Sequence, residues 1–448
     1  MRVGLDFGTT NSSAAVMDNG TVRLVPLDPV NVAPEVLRSA LFIARDGRTF
    51  LGREAIDRYT AGNVGREVVY ERTHIGTIEM TFADIGTIKQ GVFVNVDINA
   101  PGRLFLSVKM ALPDSSYAGT NVFGTRWTVE ELIALMLRRI KERVEAETGE
   151  TVDEIVIGRP VNYAGDAAGN ERALRRMQDA AELAGLRAVR FLPEPTAAAM
   201  HFAYLGAQAG HILVFDSGGG TLDITIMRVD RRGEHEVLAT DGVAVGGDLM
   251  DRRIVMGKLV SHFGAGAELG PQRRPLPAFL LENLDGWQSI VELHHPRALD
   301  VIDETILTGN RPKQLRALRC LVRENYGLPL YEMVEAAKRQ LSETERVDLS
   351  MDVAEIQFSQ PLERWDFERL IGPDLRAVDT CLTRAVKAAR LEPGQIDSVV
   401  RTGGSSRIPR YVRMLQDMFP SARLLEQDVY TSVASGLAIA AAEGIGVG

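Results

Sequence analysis

Asp6, Gly8, Thr9, Thr10 and Asn11 follow one another at the end of an apolar run, "VGLDFGTTNS". The same order of residue types returns at "FDSGGGTLD" as Asp216, Gly218, Gly219, Gly220, Thr221 and Asp223. Glycine lets a backbone approach an anion closely, and successive N–H groups in a tight turn form a nest for phosphate oxygens. Two further glycine turns, Gly246 and Gly247 before Asp248 and Gly403 with Gly404, have the same capacity. A hairpin or a helix entry explains any one such turn, but neither needs an acid just before it and a threonine just after. That acid can hold the water shell of a divalent cation, since Mg2+ keeps most of its waters and binds through few carboxylates plus phosphate. Threonine hydroxyls can donate to phosphate oxygens or position a water. The chemistry within reach is a clamp on nucleotide phosphates. Neither G-x-x-x-x-G-K-[ST] nor a strand-following G-x-G-x-x-G occurs, and "GAGAELG" has the wrong spacing, so this clamp is of another kind.

The elements that must position these residues read as alternating strands and helices, an α/β class. "RVGLDFG", "SAAVMDNG" and "TVRLVPL" are β-rich runs bounded by Gly or Asn, as in a meander. From Ser39 to about Leu112 the pattern is irregular; "QGVFVNVDI" alternates like a half-buried strand, which predicts a small mixed insert. Thr128 with Glu131 forms a capping box for a helix that Gly149 stops. "DEIVIGRP" predicts a buried strand and "GNERALRRMQDAAELAGL" an amphipathic helix. The second glycine turn follows "HILVF", so the opening grammar is repeated about half a chain later, which predicts two similar lobes facing one cleft. The span 264–330 is punctuated by Pro and Gly with short helical pieces, an elaborated peripheral subdomain, and "RRPLPAFLLENLDGWQ" within it yields no single element. The end resumes β–α order, finishing in the helix "SVASGLAIAAAEG".

The 448 residues carry a formal charge of −9, which argues against a general nucleic-acid or anionic-membrane surface. The two cysteines, Cys320 and Cys381, lack metal-ligand spacing and read as reduced thiols. No apolar stretch approaches a membrane span and no signal peptide precedes Val3, so the expected location is the cytoplasm.

"DFGTTNS", "FDSGGGTLD", "PEPTAAA", "VGGDLMD", "EAAKRQLS" and "TGGSSRIPR", in order over nearly the whole chain, resemble the actin-like ATPase superfamily, and within it the ATPase domain of the 70-kDa heat-shock chaperones. The resemblance implies a two-lobed fold of duplicated ribonuclease-H-like domains, mixed sheets flanked by helices with inserted subdomains, and ATP or ADP with Mg2+ in the cleft, K+ being a further candidate ion. It places lobe I at 1–208, with an insert at about 40–127 and completion by 426–448, and lobe II at 209–425, with an insert at about 249–365. Asp6 and Asp216 resemble the acids that hold the Mg2+ water shell, and Asp223 a further cation-binding acid. Gly8, Thr9, Thr10, Asn11, Gly218, Gly219, Gly220 and Thr221 resemble the phosphate contacts, with Gly246, Gly247 and Asp248 in a third motif. Glu194, at a helix start beside Pro195, reads on its own as a carboxylate favoured by the helix dipole; the resemblance makes it the group that orders the hydrolytic water. A lone lysine after a strand is ordinarily solvated, whereas the family's counterpart of Lys109 reaches the γ-phosphate. Glu335, Lys338, Arg339 and Ser342 fall at i, i+3, i+4 and i+7 and by pattern form a solvated face; the resemblance makes that face the clasp for adenosine, met by the turn of Gly403, Gly404, Ser405 and Arg407.

The chain also departs from the family. It ends at "AAAEGIGVG", directly after its last ATPase-domain helix, so the expectation is a truncated, YegD-like type without the peptide-binding domain. The proline at Pro160 matches one that couples the lobes, but Arg159 replaces an apolar residue, and the partner arginine is either Arg172 or Arg175. The acid expected near the cleft in "QDVYTSVASG" is displaced to Asp428. The implied function is a slow, Mg2+-dependent ATPase switch: water attacks the γ-phosphate, positioned by Glu194, Asp216 and Thr221, with Lys109 stabilising charge. A monomer is expected, with a protein partner of unknown identity engaged through 264–330. Three alternatives stand beside it: an ATP-dependent actin-like polymer, a small-molecule kinase that lacks a candidate base, and a non-hydrolysing ATP sensor.

Overall fold

A computed structural model describes residues 1–82, 86–161, 163, 167–205, 209–230, 235–426 and 432–446. The chain divides into two compact units, one formed by Met1–Arg58, Arg103–Met250 and Glu368–Gly448, the other by Tyr59–Gly102 and Asp251–Phe367.

The first unit is built on one sheet plan used twice. In the first sheet, Arg2–Phe7 pairs antiparallel with Asn11–Asp18, which pairs antiparallel with Thr21–Val25. On its other edge Arg2–Phe7 pairs parallel with Glu154–Arg159, and that strand pairs parallel with Ala188–Pro193. In the second sheet, Gly210–Ser217, Leu222–Val229 and His235–Val243 form the same meander. Gly210–Ser217 then pairs parallel with Ser398–Thr402, which pairs parallel with Arg423–Glu426. Each acidic glycine turn thus joins the central strand of its sheet to an antiparallel neighbour, at the carboxyl end of parallel-paired strands where α/β sheets place ligands.

Helices cover these sheets by the patterns their sequences carry. Val129–Thr148 starts with a reciprocal capping box, Thr128 Oγ1 accepting from Glu131 N and Glu131 Oε2 from Thr128 N, and stops at Gly149 with φ 73°. Its apolar stripe enters one continuous core with Ala173, Met177 and Ala180 of Ala167–Leu183. Ser432–Glu443 is buried from Ser432 to Ala441, so it is apolar on every side, as a core helix must be. Small residues let backbones meet there: a Cβ on Gly436 would overlap the Ala197 carbonyl of Glu194–Tyr204, and one on Gly4 would overlap Ala438 N. These contacts seat the helix bearing Glu194. That helix begins at Glu194 itself with Pro193 as cap, so Pro195 stands at its second position.

The second unit holds the antiparallel ribbon Tyr70–Phe82 with Gly86–Asp97, the hairpin Arg346–Val353 with Ile356–Glu363, and a run of helices. The stretch "RRPLPAFLLENLDGWQ" contains two short helices, Ala278–Glu282 and Trp287–Glu292, separated by one 3-10 turn. Pro277 and Gly286 interrupt any longer period, which is why periodicity misses them. Longer helices follow at Pro296–Thr308, Pro312–Arg323 and Gly327–Gln340. Among the described residues no helix is long and apolar enough to cross a membrane.

Candidate functional site

The two acidic turns meet. Gly8 sits where a Cβ would overlap the Asn11 carbonyl, and Ser39 Oγ donates to Gly8 O at 2.8 Å, which closes the first turn. In the second turn Gly218 N donates to Thr221 O at 3.0 Å. Gly247 N and Asp248 N donate to Gly218 O and Gly219 O at 3.0 and 2.9 Å, so the Gly246 motif buttresses this turn from behind. A Cβ on Gly219 would overlap Thr10 Oγ1, and one on Gly220 would lie 3.9 Å from Thr9 Cγ2. At Gly219 a side chain would displace Thr10, so the turns meet there through bare backbone. Gly403 joins them with φ +78°; a Cβ there would overlap the Ser217 carbonyl and come 2.9 Å from Asp216 Oδ1. Ser405 Oγ donates to Gly218 O at 3.3 Å.

These turns line a cavity that is open to solvent and whose lining residues all belong to the first unit. Asp6, Glu194, Asp216 and Asp223 line it together with a single lysine, Lys109. Lys109 Nζ donates to Glu194 Oε1 at 2.9 Å, with the two side chains 7% and 15% exposed. A left-handed residue, Ser107 at φ 57°, turns the chain into the short 3-10 segment that delivers Lys109 inward. Burial pushes Asp6 well above the usual carboxylate range; the charges of Glu194 and Asp216 add to the rise and Lys109 opposes it. Asp216 is pushed up to about 6, first by burial and then by Glu194, against the Thr402 hydroxyl and Lys109. Asp223, directly across the ladder from Asp216, is pushed up to about 7 by burial and by the charge of Asp216. Lys109 is held charged: burial alone would lower its pKa, but Glu194, Tyr163 and Asp6 more than offset that.

Such a cavity is suited to a cation and to phosphate. Raised carboxylates mark a concentration of negative charge that added positive charge would relieve. Among the described residues no three acidic, His or Cys side chains converge as direct metal ligands. Thr10 Oγ1 and the Tyr163 hydroxyl are buried without a hydrogen-bond partner among the described residues, and both residues line the cavity.

Comparison with known proteins decides the family. The model for the family described as "Hsp70 protein" matches residues 2–270 and 324–446. The chain belongs to the Hsp70 family. It is 29% identical over 430 residues to heat shock 70 kDa protein BIP3 of Oryza sativa subsp. japonica, covering 93% of this chain and 52% of that protein. It is 27% identical to chaperone protein DnaK of Thermus thermophilus, covering 93% of this chain and 56% of that one. With chaperone protein DnaK of Thermoplasma volcanium the identity is 26%, over 98% of this chain and 57% of the other. The chain spans about half the length of the curated relatives it matches. The α/β fold, with its twice-used mixed sheet and covering helices, is the actin-like ATPase fold of the Hsp70 family.

In this Hsp70-family chain Asp6, Gly8, Thr9, Thr10, Asn11, Lys109, Glu194, Asp216, Gly218, Gly219, Gly220, Thr221, Asp223, Gly403 and Gly404 share one cavity. Gly246, Gly247 and Asp248 back it without lining it, and Ser405 and Arg407 also stand off its wall. Arg407 Nε is paired with Glu426 Oε1 at 2.8 Å. Glu335, Lys338, Arg339 and Ser342 belong to the second unit. There Lys338 Nζ is 2.8 Å from Asp251 Oδ2 in a buried pair. Ser342 lies beyond the last residue of Gly327–Gln340, its N–H donating to Arg339 O at 3.1 Å, so the helical spacing runs out before it. Arg172 Nη1 donates to Pro113 O at 2.5 Å, whereas Arg175 stays exposed and pairs with Glu171; Asp428 lies outside the described residues.

Sequence reading misses three supports. Arg176 donates to the carbonyls of Ala111, Leu112 and Asp114 and pairs with Glu130 at 3.0 Å, which anchors the loop after Lys109. Tyr163 brings its ring within 6.0 Å of Lys109 Nζ. Arg401, buried on strand Ser398–Thr402, donates to Ser406 O at 2.9 Å and to Glu426 Oε2 at 3.0 Å, which ties the Gly404 turn to the neighbouring strand. None of the three carries a local motif.

Proposed function

We propose that the chain binds ATP and hydrolyses it slowly to ADP and phosphate in a Mg2+-dependent switch. The observation that carries this reading is the convergence of two Asp-Gly-Thr turns on one cavity that also holds a buried Lys109–Glu194 pair. Backbone N–H groups of the two turns, with Thr9, Thr10 and Thr221, bind the β- and γ-phosphates. Asp6 and Asp216 would hold hydrated Mg2+, which supplies neutralisation of phosphate charge when bound, and Asp223 is the candidate for a second cation, K+ included. Glu194 and Asp216 accept hydrogen bonds from the attacking water and orient it in line. Lys109, kept charged by its acidic neighbours, moves from Glu194 toward the γ-phosphate as negative charge builds there. Thr221 Oγ1, now 3.1 Å from Asp223 Oδ2, is free to turn its hydroxyl to that water.

Adenosine recognition by Glu335, Lys338, Arg339 and Ser342, and by Ser405 and Arg407, belongs to the same proposal. So does the division into lobes at 1–208 with 426–448 and at 209–425. Cys320 and Cys381 are free and buried, which fits a cytoplasmic location; a monomer, with 264–330 as the partner surface, is part of the same proposal. The test is phosphate release from ATP with Mg2+ and with EDTA: release that requires Mg2+ supports the proposal, and tight ATP binding without any release would leave a sensor instead.

A further inference from the structure

Met110 follows Lys109 in the Val108–Ala111 turn, yet Lys109 is buried while Met110 is 48% exposed. Thr9 Oγ1 donates to Met110 Sδ at 4.0 Å, and a Cβ on Gly220 would lie 3.3 Å from the same sulfur. The thioether therefore stands between the two phosphate turns at the mouth of the cavity that it helps to line. Among the described residues the other exposed methionine is Met256 at 36%, whereas Met136, Met177, Met227 and Met250 are fully enclosed. A dissolved oxidant therefore reaches Met110 more readily than the enclosed methionines.

We propose that Met110 is a reversible oxidation site whose sulfoxide weakens phosphate binding; this rests on the phosphate-site reading above. Hydrogen peroxide is the oxidant. A sulfur lone pair attacks one peroxide oxygen, the O–O bond breaks, an S–O bond forms, and the departing oxygen leaves as water after proton transfer. Sulfur loses two electrons and the peroxide gains them. A thioether is a weak acceptor, but a sulfoxide oxygen is a strong one. It takes the Thr9 hydroxyl and sets an acceptor oxygen where phosphate oxygens need donors.

The test treats the full chain with hydrogen peroxide, maps sulfoxides by peptide mass spectrometry and titrates ATP calorimetrically before and after. Met110 is oxidised ahead of the enclosed methionines, and the Kd for ATP rises about tenfold, the size of one lost charge-assisted hydrogen bond. Methionine sulfoxide reductase restores the affinity, and ATP present during treatment protects Met110. In Met110→Leu the ratio of treated to untreated Kd stays near one, while Met256→Leu keeps the wild-type ratio. An unmodified Met110 beside oxidised enclosed methionines, an unchanged Kd on the modified chain, or a Met110→Leu chain that weakens like wild type overturns the inference. ATP that fails to bind the untreated chain overturns the site reading and this inference together; ATP that binds but ignores the modification overturns this inference alone.

Discussion

Lys109 is held 2.9 Å from Glu194 inside a cavity of carboxylates, and in the proposed mechanism it neutralises them at rest and meets phosphate charge during reaction. Lys109→Met is expected to lower phosphate release about 10²–10³-fold, with ADP binding retained in calorimetry. Because the lost cation strands Glu194, the double variant Lys109→Met with Glu194→Gln serves as the folding control, and it should be as inactive as the single one. Asp216 and Asp223 give a pH signature. Their ordinary value is 3.8, and in the folded chain they rise to about 6 and about 7. Between those limits the folded chain binds protons that the unfolded chain has released, so their contribution is greatest at low pH and is lost as pH rises through 6 and 7. Without nucleotide, melting followed by circular dichroism should fall between pH 5 and 8, and Asp223→Asn should shrink that fall by about 2–4 °C. An identical pH slope in the variant would refute the assignment of Asp223.

At the scale of elements, Arg176 shows how positioning reaches across the chain. Its guanidinium gathers the carbonyls that follow Lys109 from a helix more than sixty residues away. Arg176→Met should lower kcat about tenfold while the KM for ATP stays within about twofold, measured by steady-state phosphate release; a pure KM effect would assign Arg176 to binding instead. The same contrast explains what was legible in the sequence. Turns such as Gly8 and Gly218 are local, and so is the capping box at Thr128 and Glu131; residue types a few positions apart specify them, and they stand where the pattern puts them. Arg176, Tyr163 and the Arg401–Glu426–Arg407 cluster act only through partners brought by the fold, so no spacing announces them. Ser342 stands two residues past the helix Gly327–Gln340, its N–H still bonded to Arg339 O, so the periodic pattern reaches just beyond the helix end.

For the whole molecule, the twice-used sheet is the physical reason for the motif echo: equivalent strand ends place equivalent turns, and in the first unit both serve one cavity. The family match is interrupted over 271–323, a span that holds the short helices Ala278–Glu282 and Trp287–Glu292 and the longer Pro296–Thr308 and Pro312–Arg323. On the proposed reading the phosphates, gripped by the paired turns, carry the binding. That reading is tested most directly by calorimetric titration of the intact chain with ATP and with adenosine, both in Mg2+. Saturable ATP binding with adenosine weaker by about a hundredfold or more, close to 3 kcal/mol, is the predicted result. No binding of ATP, or equal affinity for ATP and adenosine, would contradict it.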